Sequence, residues 1–280
     1  TSFRSGTVAE IEEPYLQVNK KINRDDYEIW RDSVNQSIRS LGKPYNYEQS
    51  ADVTYNFPFQ AIPILNWINS SLAYNSRYRW ERGAAIQDED LGNNIQNDLS
   101  ITINGRFNMV QLYNKFDFLK KTNQRFNTTG HPASKSQKDK EDKKQRRYRT
   151  ILYDVAQYSA RGLMMLQNIN LNYGYRTRTD ILGFSPMIGN FFGQSDGSGM
   201  MTPGLGFAFG FESGESFIDK ANKNNWLIKN ENNIVPAVYN NTKNMRIDAI
   251  LEPVSGLKID LNLMYEDNRR TDIKYMYDDM

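Results

Sequence analysis

The chain of 280 residues contains no cysteine and a single histidine. The first absence excludes disulfides and thiolate ligands, and the second excludes a zinc site built on several imidazoles. A lack of cysteine suits a chain that reaches an oxidising compartment unfolded, although many cytosolic proteins share it. Charge of one sign is missing too. Lys and Arg number 35 against 33 Asp and Glu, a net charge of +2, so no broad basic field invites nucleic acid. Mean hydropathy is −0.72, and no run of about 18 apolar residues exists, which excludes helical membrane spans. Strands that turn only alternate residues to lipid are not excluded.

Asn is abundant instead, at 31 residues, and Tyr reaches 17. Asn competes with a helix for its own backbone and Tyr favours strands, so the composition points to a β-rich chain. The pattern agrees. From Trp67 to Glu81, Ile68, Leu72, Tyr74, Tyr78 and Trp80 alternate with Asn69, Ser71, Asn75, Arg77, Arg79 and Glu81. Successive strand residues point to opposite faces, so one face is greasy and the other wet.

The same alternation marks 51–59, 98–108, 163–176, 203–211, 244–252 and 257–265. With 67–81 these make seven predicted strands. The last two form a hairpin across Glu252 to Gly256. In 203–211 Leu205, Phe207, Phe209 and Phe211 alternate with Gly204, Gly206, Ala208 and Gly210. Two readings stand side by side there: a second backbone lies against the small residues, or the strand bends sharply. Segments 25–42, 112–119 and 151–162 carry helical spacing. Asp25 and Asp26 cap the first, with the stripe Tyr27, Trp30, Val34, Ile38 and Leu41. The charged stretch 128–147 has almost no apolar residue and reads as a disordered tether.

The organisation read from these segments is one partial barrel region over 1–280. It has a helical insert at about 25–42, strands at about 50–108, a helical and disordered insert at about 109–162, and strands at about 163–267. Parity over seven strands puts loops 82–96, 177–201 and 253–256 at one end, and 109–162 and 212–243 at the other. Thr1 to Gly6 holds neither an initiator Met nor a secretion signal, and Tyr275 to Met280 does not resemble a finished strand. The chain therefore reads as an internal piece.

Little in the chain resembles catalytic machinery. His131 lies between Gly130 and Pro132 in the polar stretch and reads as a solvated loop residue, not a triad member. Asp88, Glu89 and Asp90 lack the ligand spacing of a calcium loop. The glycines of 204–210 miss the dinucleotide fingerprint and sit in the wrong context. No catalytic, cofactor-binding or metal residue is assigned, and an enzyme is not expected. Trp67, Tyr74, Tyr78 and Trp80 can be read as an interfacial girdle or as a sugar-stacking platform.

Several stretches in order resemble one family: 23–33 (NRDDYEIWRDS), 54–58 (TYNFP), 62–67 (IPILNW), 74–80 (YNSRYRW), 91–97 (LGNNIQN), 112–115 (LYNK), then Leu251-Glu252-Pro253 and 257–261 (LKIDL). The ordered set is similar to a section of the SprA (Sov) family, the giant outer-membrane translocon barrels of the type IX secretion system of Bacteroidetes, linked to gliding motility. The resemblance spans roughly residues 20–265.

It implies an antiparallel transmembrane β-barrel segment, one arc of a much larger wall in the outer membrane, with helical insertions in its loops. It implies protein transport without chemistry. Its partners would be secreted cargo proteins, a PorV-type shuttle barrel, a periplasmic plug protein and membrane lipid, with no nucleic acid and no cofactor. On this reading Leu72, Tyr74, Tyr78, Trp80, Tyr173, Tyr175, Phe207, Phe209 and Tyr265 face lipid. Arg77, Arg79, Arg106, Asn170, Asn172, Asp248, Lys258 and Asp260 face the lumen. The alternatives are an autonomous outer-membrane porin or receptor and a soluble β-rich adhesion or sugar-binding module.

Overall fold

The computed structural model describes residues 1–11, 20–39, 42–83, 85–86, 89–127, 153, 155–162, 164–195, 201–229, 235–254 and 256–275. It is mainly β. In chain order the elements are β1 (Ser2–Glu10), α1 (Arg24–Arg39), β2 (Lys43–Phe57), β3 (Ile68–Glu81), β4 (Ala85–Ile86), β5 (Glu89–Asp90), β6 (Asn93–Asn108), α2 (Met109–Tyr113), α3 (Asp117–Asn127), α4 (155–162), β7 (Leu166–Phe184), α5 (Leu205–Ala208), α6 (Gly214–Lys223), β8 (Ala237–Val254) and β9 (Leu257–Ile273). Seven strands form one antiparallel sheet in the order β1-β2-β3-β6-β7-β8-β9. Every strand pairs with its neighbour in that order, a meander with two outer edges, β1 and β9, among the described residues.

Alternation produces this sheet, and local breakers end its strands. Pro58 lacks the N–H a ladder needs, and β2 stops at Phe57. A single 3₁₀ turn at Phe59–Ala61 then leads back, and Trp67 Nε1 donates to the Ile64 carbonyl at 3.0 Å. Pro253 is accommodated at an irregularity in the β8–β9 ladder between Leu251 and Val254. Asn108 caps α2, its side-chain oxygen accepting from the Gln111 N–H at 3.0 Å.

Six of the seven predicted strands are present, most of them extended at one end. Segments 51–59 (as far as Phe57), 67–81 (from Ile68) and 98–108 lie in β2, β3 and β6, and 163–176 (from Leu166), 244–252 and 257–265 lie in β7, β8 and β9. Helices α1 and α4 overlap the first and third helical readings, and the second, 112–119, is split by a turn at 114–116 between α2 and α3. The stretch 128–147 and His131 lie outside the described residues, as do Asp88 and the side chains of Glu89 and Asp90.

Segment 203–211 is not a strand. It holds the one-turn helix α5, and β1 takes its place as the seventh strand. The glycines decide this. Gly204 and Gly210 adopt φ of +101° and +84°, left-handed conformations that no regular strand uses. Both readings of its small residues assumed a strand, and neither holds: Gly210 packs on a side chain, where a Cβ would lie 2.8 Å from the Leu99 Cβ on β6.

The change of strand also corrects the loop assignment. One end of the sheet carries 11–42, 82–92 and the long insert 185–236. The other carries 58–67, 109–165 and the short β8–β9 connection between Val254 and Leu257, at 255–256. That connection thus shares an end with the helical insertion, not with 82–92.

Candidate functional site

The two faces of the sheet are the candidate functional surfaces, and ladder register fixes what stands on each. On one face Ser50, Arg77, Asp98, Arg178, Asn240 and Arg270 form a row across six strands. Asn69, Arg106, Asn170, Asp248 and Asn262 form another. Glu48 accepts from Arg79 at 2.6 Å directly across β2 and β3, and Asp98 from Arg176 at 2.6 Å across β6 and β7. Arg106 Nε donates to Asn170 at 3.2 Å, and Asn172 donates to Asn104 at 2.6 Å. All eight residues predicted to line a lumen lie on this one face.

The opposite face has two zones. Towards the 255–256 end it is a band of apolar rows. Tyr55, Leu72, Ile103, Tyr173, Met245 and Tyr265 form one row, and Ile68, Phe107, Ile169, Ala249 and Leu261 another. Val53, Tyr74, Ile101 and Tyr175 border the band on top, where β8 and β9 have already turned polar with Lys243 and Asp267. The border thus climbs across the sheet. The band is open: Tyr55, Leu263 and Tyr265 keep 51%, 53% and 53% of their surface.

Towards the other end, the insert 185–236 covers the same face. Tyr47, Trp80, Ile95 and Ile181 form the outermost row, with Gln49, Tyr78, Asn97 and Thr179 below it. Phe207 stacks on Phe217 at 4.0 Å and meets Tyr78 edge-on at 5.9 Å. Phe184, Ile188, Ile218, Ala221, Trp226 and Leu227 complete a core with no lipid access. Several polar groups are matched across the contact, although Gln49 Nε2, Asn97 Oδ1 and Thr177 Oγ1 have no hydrogen-bond partner. Tyr78 donates to the Gly193 carbonyl at 3.2 Å, Trp80 Nε1 to Pro186 at 3.2 Å, and Tyr47 to Phe191 at 2.9 Å. Asn97 donates to the Phe207 carbonyl and Tyr74 to the Phe209 carbonyl. Burial pushes the Tyr47 hydroxyl up to about 12, and pushes Tyr78 well above its ordinary value with a further contribution from Tyr47.

The lipid-facing assignments therefore divide. Leu72, Tyr74, Tyr173, Tyr175 and Tyr265 lie on the band or its border. Trp80 and Tyr78 have no exposed surface, because the chain's own insert lies on them. Phe207 is buried in that insert and Phe209 is only partly exposed there, so neither is a sheet residue. Sequence reasoning missed the covered zone because Gln49, Asn97, Thr177 and Thr179 interrupt its apolar alternation. Their burial becomes intelligible only with the insert in place.

At the 58–67 end, α2 and α4 form a second small core, in which Tyr113, Ala160 and Met164 pack with Met109 and Leu119. Among the described residues no cluster of His, Cys, Asp and Glu could hold a metal ion. No described helix is long and apolar enough to cross a membrane, which says nothing about strands. No family model matches the chain, and no curated protein matches it.

Proposed function

We propose that this chain is an arc of the wall of an outer-membrane barrel that conducts proteins. The observation that carries the membrane part is the open apolar band backed by a continuous polar face on the same strands. Ile101 to Phe107, from the border row to the far apolar row, covers about 20 Å along β6 at ~3.4 Å per residue. A strand tilt of about 40° reduces this to roughly 16 Å across a bilayer, within the ~25 Å apolar band of outer-membrane barrels. Hydrocarbon cannot tolerate unpaired strand edges, so on this reading further strands continue the wall beyond β1 and β9.

The transport part rests on the ordered resemblance to the SprA (Sov) family. The polar face suits it. Arginines and carboxylates are paired across it and asparagines fill the spaces, so no ring of one charge selects ions. Cargo, a PorV-type partner and a periplasmic plug belong to this proposal, and the residues assign no chemistry to the chain. The covered zone favours one rival, a soluble β-rich module, because its core is built as in a water-soluble protein.

Photocrosslinkers at Arg106, Asp260 and Leu263 in intact cells test both parts. The proposal expects exported proteins trapped at Arg106 and Asp260, and lipid adducts at Leu263. If alkaline carbonate strips the protein from membranes, the wall is wrong. If it stays but no exported protein is trapped, the transport assignment alone falls.

A further inference from the structure

The insert is not apolar only where it meets the sheet. Phe191 and Phe211 keep 68% and 74% of their surface, and Phe192 is also exposed. A cap built only to close a core in water gains nothing from bare phenylalanines, and contiguous exposed apolar patches mark contact sites. Their position is specific. Phe211 stacks on Tyr74 at 5.8 Å with the rings 17° apart, and Tyr74 stands on the upper border of the open band. Phe191, Phe192 and Phe209 surround Phe3 of β1, each with ring centroids 6.3–6.4 Å away. Phe3 pairs with Ala51, one row above Val53 on the same border. The exposed rings therefore lie along the line where the band ends and the covered zone begins.

We propose that this line of rings is a membrane foot, by which the insert rests on the bilayer surface with Phe3, Phe191, Phe192 and Phe211 in the boundary between headgroups and acyl chains. The inference rests on the membrane reading of the band and adds a partner for the insert: lipid. Continuity selects lipid over a second protein, because the rings extend the band upwards without a break. The chemistry fits as well. Aromatic side chains collect at bilayer interfaces, and the hydroxyl of the adjoining Tyr74 is satisfied internally by the Phe209 carbonyl, so the patch turns ring surface outwards. The insert carries its charged pair, Lys220 with Glu212 at 2.8 Å, on residues that take no part in this line. The foot would hold the wall at a fixed depth.

Because these 280 residues contain no cysteine, single labels report cleanly. Nitroxides would be placed at Phe192→Cys, Phe211→Cys, Leu263→Cys as the deep reference and Lys223→Cys as the aqueous reference, in membranes of cells that make the protein. Relaxation by oxygen, which concentrates in lipid, is compared with relaxation by a water-soluble nickel chelate. The foot predicts oxygen-to-nickel ratios at 192 and 211 above that at 223 and below that at 263. Aqueous values at 192 and 211, with 263 still deep, overturn the foot and leave the wall intact. An aqueous value at 263 removes the membrane reading and the foot with it. Exclusion of both reagents at 192 and 211 overturns the foot in favour of a covering protein.

Discussion

Trp80 and Leu263 stand on the same face of one sheet, yet Trp80 has no exposed surface and Leu263 keeps more than half of its own. Trp80 lies where the insert folds back, and Leu263 lies in the open band. The covered zone mixes Gln49, Asn97, Thr177 and Thr179 with its aromatics and satisfies several of its donors on insert carbonyls. The open band offers almost no polar side chain, and no described segment closes over Leu263. One sheet therefore manages apolar surface in two ways. A protein layer needs matched polar groups, because each buried one costs free energy if left unmade, whereas a hydrocarbon layer needs only that polar groups be few.

The comparison can be broken most strongly at Trp80. Trp80→Ala is expected to cost about 3–5 kcal/mol, because it empties the covered core and removes one of the two donors, Trp80 and Asn93, to the Pro186 carbonyl. Protease sensitivity confined to the insert, with the band unaffected, is the expected readout. A charge in the open band comes next. Leu263→Arg is expected to cost roughly 2–4 kcal/mol if that side chain sits near mid-bilayer, seen as loss of membrane-inserted protein; an unchanged yield would mean the band is wet.

Alkaline pH should separate the zones a third way. Tyr47 is held neutral by burial, its hydroxyl up at about 12 against an ordinary value near 10. The unfolded chain thus loses this proton first, and stability falls as pH rises from 10 to 12. An effect on the order of 2 kcal/mol is expected. It should loosen the insert alone; Tyr47→Phe should remove the Tyr47 share and leave the further fall contributed by buried Tyr78. The smallest effect belongs to the polar face. Glu48→Ala breaks an exposed pair with Arg79 and should cost under about 1 kcal/mol; a larger loss in a denaturant titration would show that the wet face is less solvated than its exposure indicates.

Legibility followed the same division. Where one face is almost wholly apolar, as at Ile68 to Tyr74 with its single Ser70, or at Leu257 to Tyr265, alternation alone indicated strand and face, and for Leu257 to Tyr265 the partner strand of its hairpin as well. It failed in the covered zone for opposite reasons. Arg176 to Asp180 alternates arginine with threonine, so both faces look wet, although Thr177 and Thr179 are buried under the insert. Residues 203–211 alternate phenylalanine with glycine and imitate a strand, although Gly204 and Gly210 turn the chain into a helix that lies on Leu99. β1 shows only Phe3 as a large apolar residue on the insert side, too little pattern to see. The eight residues read as one wet set do share one face, because charge on alternate residues needs no knowledge of what covers the other side.

The meander also sets an order of assembly. Each strand hydrogen-bonds to the one made before it, so the ladder can zip up from β1 onwards without waiting for distant sequence. Two long excursions interrupt it, 109–165 between β6 and β7 and 185–236 between β7 and β8. Since closure entropy grows only logarithmically with loop length, these excursions delay the zipper little, and β8 can find β7 before or after the insert has settled.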